Sequence, residues 1–288
     1  MNLSLNPDSN TNRRFLLLAP PDVQLGDAFR QVENASGRRQ ELLAGMQRLR
    51  GRVYVHDNAI TERDLSSDGR HVQAIDEESW HLLVLDARGQ VAGCTRYLQH
   101  PASTRFNGLR VRTAALARSA EWGGPLRHAV EGELDVARRN GFSYVEVGGW
   151  ALDESLRGSA DALRSVLFTY AWSQLIGGCL GLVTATHRNG SASILRRIGG
   201  RPLQWDGAEL PPYYDPQYKC EMEVLRFDSR LPSPKYQRVV DEIRSQISTV
   251  PVVCCDKPSN VWQAFVNRLH VLGTKAHEWL PEHAAPAA

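Results

Sequence analysis

No hydrophobic run in the chain approaches the length of a membrane span, so the sequence offers no candidate transmembrane helix. Neither sign of charge dominates: 34 Lys and Arg face 32 Asp and Glu, net +2, which implies no general attraction to nucleic acid. Cysteine is sparse and unpatterned. Cys94, Cys179, Cys220, Cys254 and Cys255 make an odd count with no ligand spacing, so no metal site is read from them. Cys94 and Cys179 lie in apolar stretches as small core residues, and the adjacent Cys254 and Cys255 cannot readily bridge each other. A secretory signal is also missing, because "FLLLAPP" is too short for the apolar region and runs into proline. The polar leader MNLSLNPDSNTNRR, residues 1–14, reads as disordered, and the expected location is the cytoplasm. No internal repeat or low-complexity tract is present.

What is present is a globular composition. The 288 residues are 42% hydrophobic and 23% charged, enough for one large or two modest domains with a real core. Arginine far outnumbers lysine and clusters at Arg105, Arg110, Arg112 and Arg118, either to meet phosphates or carboxylates or as a solvated basic face. Residues 24–50 carry apolar positions at mixed helical spacing with Gly37 as a break, and "RGRVYVHD" follows as a short strand or helix exit. After a polar, acidic loop, "WHLLVLDARGQVAGCTRYLQH" has the apolar runs and turn of a hairpin. "EWGGPLRHAVEGELDVARRNGF" predicts an amphipathic helix with Leu126, Ala129, Val130, Leu134 and Ala137 on one face and Gly141 as its C-cap.

Then come the strand "SYVEVGGWAL", an apolar helix, the strand "CLGLVTAT" and the helix "NGSASILRRIG", a β-α-β-α order that predicts neighbouring parallel strands. "YKCEMEVLRFD" is a late strand. Pro232 and Pro234 suggest a linker into two helix-like stretches around "VPVVCC". The expected domains are therefore 15–230 and a partly helical C-terminal extension, 231–288.

The turn "ESLRGSADALRS" opens the apolar helix. A helix N-terminus offers unpaired N–H donors and partial positive charge. Gly158, Ser159, Ala160 and Ala162 are small enough for an anion to approach the backbone, and Arg157 adds a cation. The same residues also suit the plain start of a core helix. The next strand leads to "HRNGSASILRRIGG".

Taken together, these two segments resemble the GCN5-related N-acetyltransferase (GNAT) superfamily. Arg157-x-x-Ala160-x-Ala162 resembles its acyl-CoA pyrophosphate loop, with Ala160 in place of the central glycine. Asn189, Ala192, Leu195 and Gly200 resemble its N-x-x-A-x-x-L helix, which lies against the pantetheine arm; Arg196 replaces the tyrosine that often serves as acid, so no general acid carries over. Further upstream, Arg50, Val53 and Tyr54 in "RGRVY", the acidic loop, and Arg96 three residues after Gly93 resemble the acyl-homoserine-lactone synthases and long-chain N-acyl amino acid synthases. Glu146 matches the glutamate of their E-x-S-R element, but "EVGG" stands there, which favours an amine acceptor other than that of a homoserine-lactone synthase. The resemblance covers roughly residues 40–228. It implies an α/β, GNAT-like mixed central sheet flanked by helices, with residues 231–288 as an extension.

The resemblance also implies an activity, transfer of a medium or long acyl group from acyl-CoA or an acyl carrier protein (acyl-ACP) to an amine, such as an amino acid's, to give an N-acyl amide signal, with no metal. Glu146 would accept the amine's proton, backbone N–H groups near Val147 and Gly148 would polarise the thioester, and Arg96, with Arg50, would bind an acidic group on the acceptor. Tyr54 and Trp122 are further substrate-binding candidates, and Trp122 with "LPPYYDPQYK" would rim a tunnel or simply pack as loops. His187 is a second base candidate or a surface histidine, and "SVLFTYAW" either lines an acyl pocket or is core. Two other functions stay open: acetyl-CoA-dependent acetylation of a small amine or protein, and non-catalytic acyl-CoA binding.

Overall fold

A computed structural model describes residues 13–255 apart from 22, 24, 26 and 27. The strands are β1 (Arg14–Leu18), β2 (Val32–Asn34), β3 (Trp80–Leu85), β4 (Val91–His100), β5 (Ser143–Leu152), β6 (Cys179–Thr186), β7 (Arg201–Pro202), β8 (Gln204–Trp205), β9 (Ala208–Glu209), β10 (Tyr213–Asp215), β11 (Cys220–Asp228) and β12 (Val252–Cys254). The helices are α1 (Ser36–His56), α2 (Gly123–Asn140), α3 (Ala160–Leu175), α4 (Ser191–Ile198) and α5 (Gln237–Gln246). Nine strands follow the order β10-β11-β6-β5-β4-β3-β1-β12-β2, with β7 beside β11, and a separate hairpin joins β8 to β9. The expected mixed α/β architecture, a large central sheet flanked by helices, is what the chain adopts.

Alternation along the strands sorts the helices onto two faces. Leu16 and Leu18 of β1, with Leu83 and Leu85 of β3, pack against Leu42, Leu43, Met46 and Leu49 of α1. The intervening Leu17, Leu82 and Val84 pack in the layer that holds α3 and α5. On the other half of the sheet Tyr144, Leu180, Leu182 and Val224 meet α2 through Leu126, Ala129, Val130, Leu134 and Ala137, the face predicted for that helix. Gly141 caps α2 in the left-handed region at φ 67°. The β3–β4 turn is tied by Asp86, whose carboxylate accepts from the N–H groups of Arg88 and Gln90 at 2.8 Å each.

Two segments differ from the sequence reading. Helix α1 begins at Ser36 and runs through "RGRVYVH", because Val53 and Tyr54 continue its apolar stripe one turn beyond Leu49. Residues 32–34 upstream form β2 instead of helix. The second difference is the boundary drawn at residue 231. Helix α5 buries Val240 and Ile243 in the main core, and "VPVVCC" forms β12 between β1 and β2, parallel to both. Leu17 N–H donates to Pro251 O at 2.8 Å and Ala19 N–H to Val253 O at 2.9 Å, so β12 satisfies an edge that β1 would otherwise expose. The chain from 231 to 255 thus returns to the body formed by 15–230, with α5 in its core and β12 in its sheet. The helix-like stretch after Cys255 and nearly all of the leader lie outside the described residues. No helix among the described residues is long and apolar enough to cross a membrane.

Candidate functional site

Strands β5 and β6 run parallel, but pair only from Ser143–Cys179 to Glu146–Leu182. Beyond that rung they part, and the β6 side of Val147, Gly148 and their successors has no strand partner. On its other side β5 carries a bulge against β4, where the register shifts between Cys94 and Arg96 and Gly149 takes φ 62°. The wedge opens into a cleft of about 790 Å³. Its walls come from both faces of the sheet. Tyr54, Arg96, Arg110, Glu146 and Tyr218 line it on the α1/α2 side, and the α3 N-terminus, Asn189 and Ile194 on the other.

The floor on the first side is a buried charge cluster. Asp76 is fully buried and takes Arg50 in a bidentate pair, Nη1 to Oδ1 at 2.8 Å and Nη2 to Oδ2 at 2.6 Å. Arg96 Nη1 reaches Asp76 Oδ1 at 3.1 Å and Gln73 Oε1 at 2.5 Å. Burial opposes ionisation of Asp76, yet the Arg50 hydrogen bonds and charge, with the Arg96 charge, outweigh it and hold this carboxyl well below the usual range. Two guanidiniums share one carboxylate, which leaves net positive charge. Arg96 is 6% exposed, and its Nε has no hydrogen-bond partner. Burial and the neighbouring Arg50 lower its pKa, so an added anion there would be favoured. Burial raises the phenols of Tyr54 and Tyr218, which keeps both as neutral donors beside it.

Glu146 is held from three directions. It accepts from the N–H of Arg110 at 2.8 Å, from the N–H of Val111 at 2.9 Å and meets His100 Nε2 at 2.9 Å. The carboxylate thereby pins the Arg110–Val111 turn over the cleft. Two carboxylate oxygens offer about four acceptor positions; Oε2 takes two of these contacts and Oε1 one, which leaves Oε1 capacity for another.

On the opposite side the turn before α3 has the features of an anion cradle. Gly158 adopts φ 74°, and a Cβ there would meet nothing within 4 Å. Ser159 caps α3 by accepting from Ala162 N–H at 3.2 Å. Asp161, the acid of the first turn, is neutralised by Arg164 at 2.7 Å and Arg13 at 3.5 Å. Arg157 pairs with Asp57 at 3.1 Å, closing the end of α1 onto this turn.

The cleft therefore brings together Arg96, Glu146, Val147, Gly148, Arg157, Gly158, Ser159, Ala160, Ala162, Asn189 and Tyr54. Arg50 does not line it. Its guanidinium is spent on Asp76 beneath the floor, so its place is structural. Trp122 is also absent from the cleft and packs with the α2 cluster. His187 sits 3.8 Å from Glu223, which Arg196 grips through two nitrogens; the arginine at the tyrosine position of the resemblance is an ion-pair residue. Sequence reasoning missed Asp76, Gln73 and Asp57. Asp76 lies in the acidic loop "QAIDEES", a visible signal, but nothing local distinguishes it from Glu77 or Glu78.

The site is thus a mixed α/β sheet opened by a parallel wedge, with a small-residue helix N-terminus beside it. No family model and no curated protein matches the chain. Among solved structures it is similar to BjaI, a CoA-dependent acyl-homoserine lactone synthase solved with SAM and isopentyl-CoA (18% identity, 82% of this chain and 97% of that one, TM-score 0.49). It is also similar to the AHL synthase LasI (15% identity, 76% and 91%, TM-score 0.45) and to FeeM, an N-acyl amino acid synthase from uncultured soil microbes (10% identity, 76% and 92%, TM-score 0.46).

Proposed function

We propose that the chain is an N-acyltransferase that moves an acyl group from a phosphopantetheine thioester to the amine of an acceptor bearing a carboxylate. The observation that carries this reading is the passage through the sheet. It joins an under-neutralised, buried Arg96 on one face to a helix N-terminus lined with small residues on the other. The donor's phosphates fit the turn from Gly158 to Ala162, with Asn189 along the pantetheine arm. The acceptor's carboxylate fits Arg96, between Tyr54 and Tyr218. Where β5 and β6 part, the freed backbone near Val147 and Gly148 faces the thioester carbonyl and stabilises charge on its oxygen as the amine attacks. The carbon–nitrogen bond forms as the carbon–sulfur bond breaks. The amine's proton passes to the remaining position on Glu146 Oε1, directly or through water, and the thiol leaves as thiolate, so no side-chain acid is required.

CoA and an acyl carrier protein present the same arm, so both donors belong in the test. Purified protein is incubated with acyl-CoA or acyl-ACP and an amino acid mixture, and amides are read by mass spectrometry. An N-acyl amino acid is the expected product. Glu146→Gln should lower kcat by about 10²-fold at unchanged CoA affinity, and Arg96→Gln should raise the acceptor KM by ten-fold or more. Binding of CoA without any amide from either donor would instead mark a binding module. An acetylated amine without a carboxylate, insensitive to Arg96→Gln, would mark an ordinary acetyltransferase.

A further inference from the structure

The cleft has an apolar annex. Val147, Gly148, Trp150, Val183, Leu195 and Ile198 line both the cleft and a small chamber under α3, whose other walls include Val166, Thr169, Tyr170 and Phe227. These last four are under a tenth exposed. The chamber offers about 30 Å³ to the centre of a water-sized group, against about 790 Å³ for the cleft it opens from. It is therefore a small recess, with room for a few carbon-sized groups and not for a long chain.

A thioester carbonyl set against Val147 and Gly148 has two ways to direct its acyl carbons. On the α1/α2 side the cleft sets Val53, Val111, Ala114, Leu182 and Tyr213 among Arg96, Arg110, Glu146 and Asp215, and an alkyl chain there would strip water from the charged groups for no hydrogen bond in return. Under α3 the walls are largely aliphatic and aromatic, and each methylene gains by leaving water. We propose that this chamber is the acyl pocket and that it limits the donor to short acyl groups, of two to four carbons. Close packing of α3 makes the limit firm, since Leu167, Phe168 and Trp172 behind the lining residues are fully buried. The inference rests on reading the cleft as an acyl-transfer site and names the substrate class for it.

Its test uses binding, so that turnover is not required. A series of 2-oxoalkyl-CoA thioethers, stable analogues with two to ten carbons in place of the acyl group, is titrated into the full chain by calorimetry. Affinity should rise about fourfold per carbon to about four carbons, then stop rising or fall. In Val166→Ala, which removes two wall carbons, the break should move outward by one or two carbons. Ile198→Val, a milder change, should move it by up to one and serves if Val166→Ala fails to fold. A rise that continues through eight or ten carbons in the wild type overturns the proposal, as does a break that neither variant moves. If CoA, every analogue and the same series carried on an acyl carrier protein all fail to bind, the acyl-transfer reading falls and this one with it. Binding of CoA with unlimited chain length removes the short-chain limit alone.

Discussion

Asp76 decides the chemistry of the cleft floor more than any other residue. Its carboxylate ties Arg50 of α1 to Arg96 of β4, and also accepts from Gln47 Nε2 at 3.1 Å and from Gln73 N–H at 3.1 Å. Asp76→Asn leaves two buried guanidiniums facing a neutral amide, and a broken buried pair typically costs about 3–5 kcal/mol. Urea denaturation should show a loss of that order, with an unchanged midpoint meaning that the cluster relaxes without cost. His81 lies beneath the same cluster, donating from Nε2 to Asp76 O at 2.8 Å while its Nδ1 is buried without a partner. Burial, aided by the Arg96 and Arg50 charges, pushes its pKa down to about 3. The unfolded ring takes its proton near pH ~6.5, so the folded state binds fewer protons below that value. Its contribution is complete above the unfolded pKa and declines as pH falls toward the folded one. The expected loss from His81 between pH 7 and pH 5 is about 2 kcal/mol. Asp76, depressed from the ordinary carboxylate value, keeps its charge across that window. Equilibrium urea titrations at the two pH values measure the difference, and equal stabilities would contradict a neutral buried His81.

At the scale of elements, the wedge is made by β5 failing to pair. Its sequence, SYVEVGGWAL, shows why this was half legible. The alternation announces a strand, and the paired glycines announce irregular backbone, but the length of pairing with β6 depends on both strands and is written in neither alone. Gly149 combines φ 62° with a position where a Cβ would stand 3.2 Å from Arg96 Cβ. Only glycine enters the left-handed region without cost there, and another residue adds roughly 1–2 kcal/mol. Gly149→Ala should therefore destabilise the chain by about that amount and displace Arg96; on the proposed reading it weakens acceptor binding while CoA binding at the α3 turn persists. Paired thermal melts and titrations separate the two effects, and equal loss of both ligands would show that the bulge supports the whole cleft. Gly141 and the α2 face were readable because a helix stripe and its cap are local in sequence. The end of α1 was not, since "RGRVYVH" has strand-like residues and turns helical only through the packing of Val53 and Tyr54.

Across the whole molecule, the cleft sits in one sheet that runs from β10 to β2. The half carrying β5, β6 and β11 was legible, because its strands alternate with helices in a continuous β-α-β-α order. The far edge was not. Strand β1 finds its partner β12 more than two hundred residues later, through a parallel pairing that has no turn to announce it. Proline at 232 and 234 marks a connection, but the chain after it returns to the same core: α5 packs on α3, and Val252 and Val253 are fully buried. Removing residues 231–288 would expose the core face of α3, take from β2 the strand neighbour it has among the described residues and open the β1 edge to other chains. A chain ending at residue 230 should therefore give no cooperative thermal transition and should aggregate on expression. A soluble 1–230 fragment with a sharp melt and the CoA affinity of the full chain would mean that the cleft is complete without β12, and that the last strand is an attachment to the sheet instead of part of its frame.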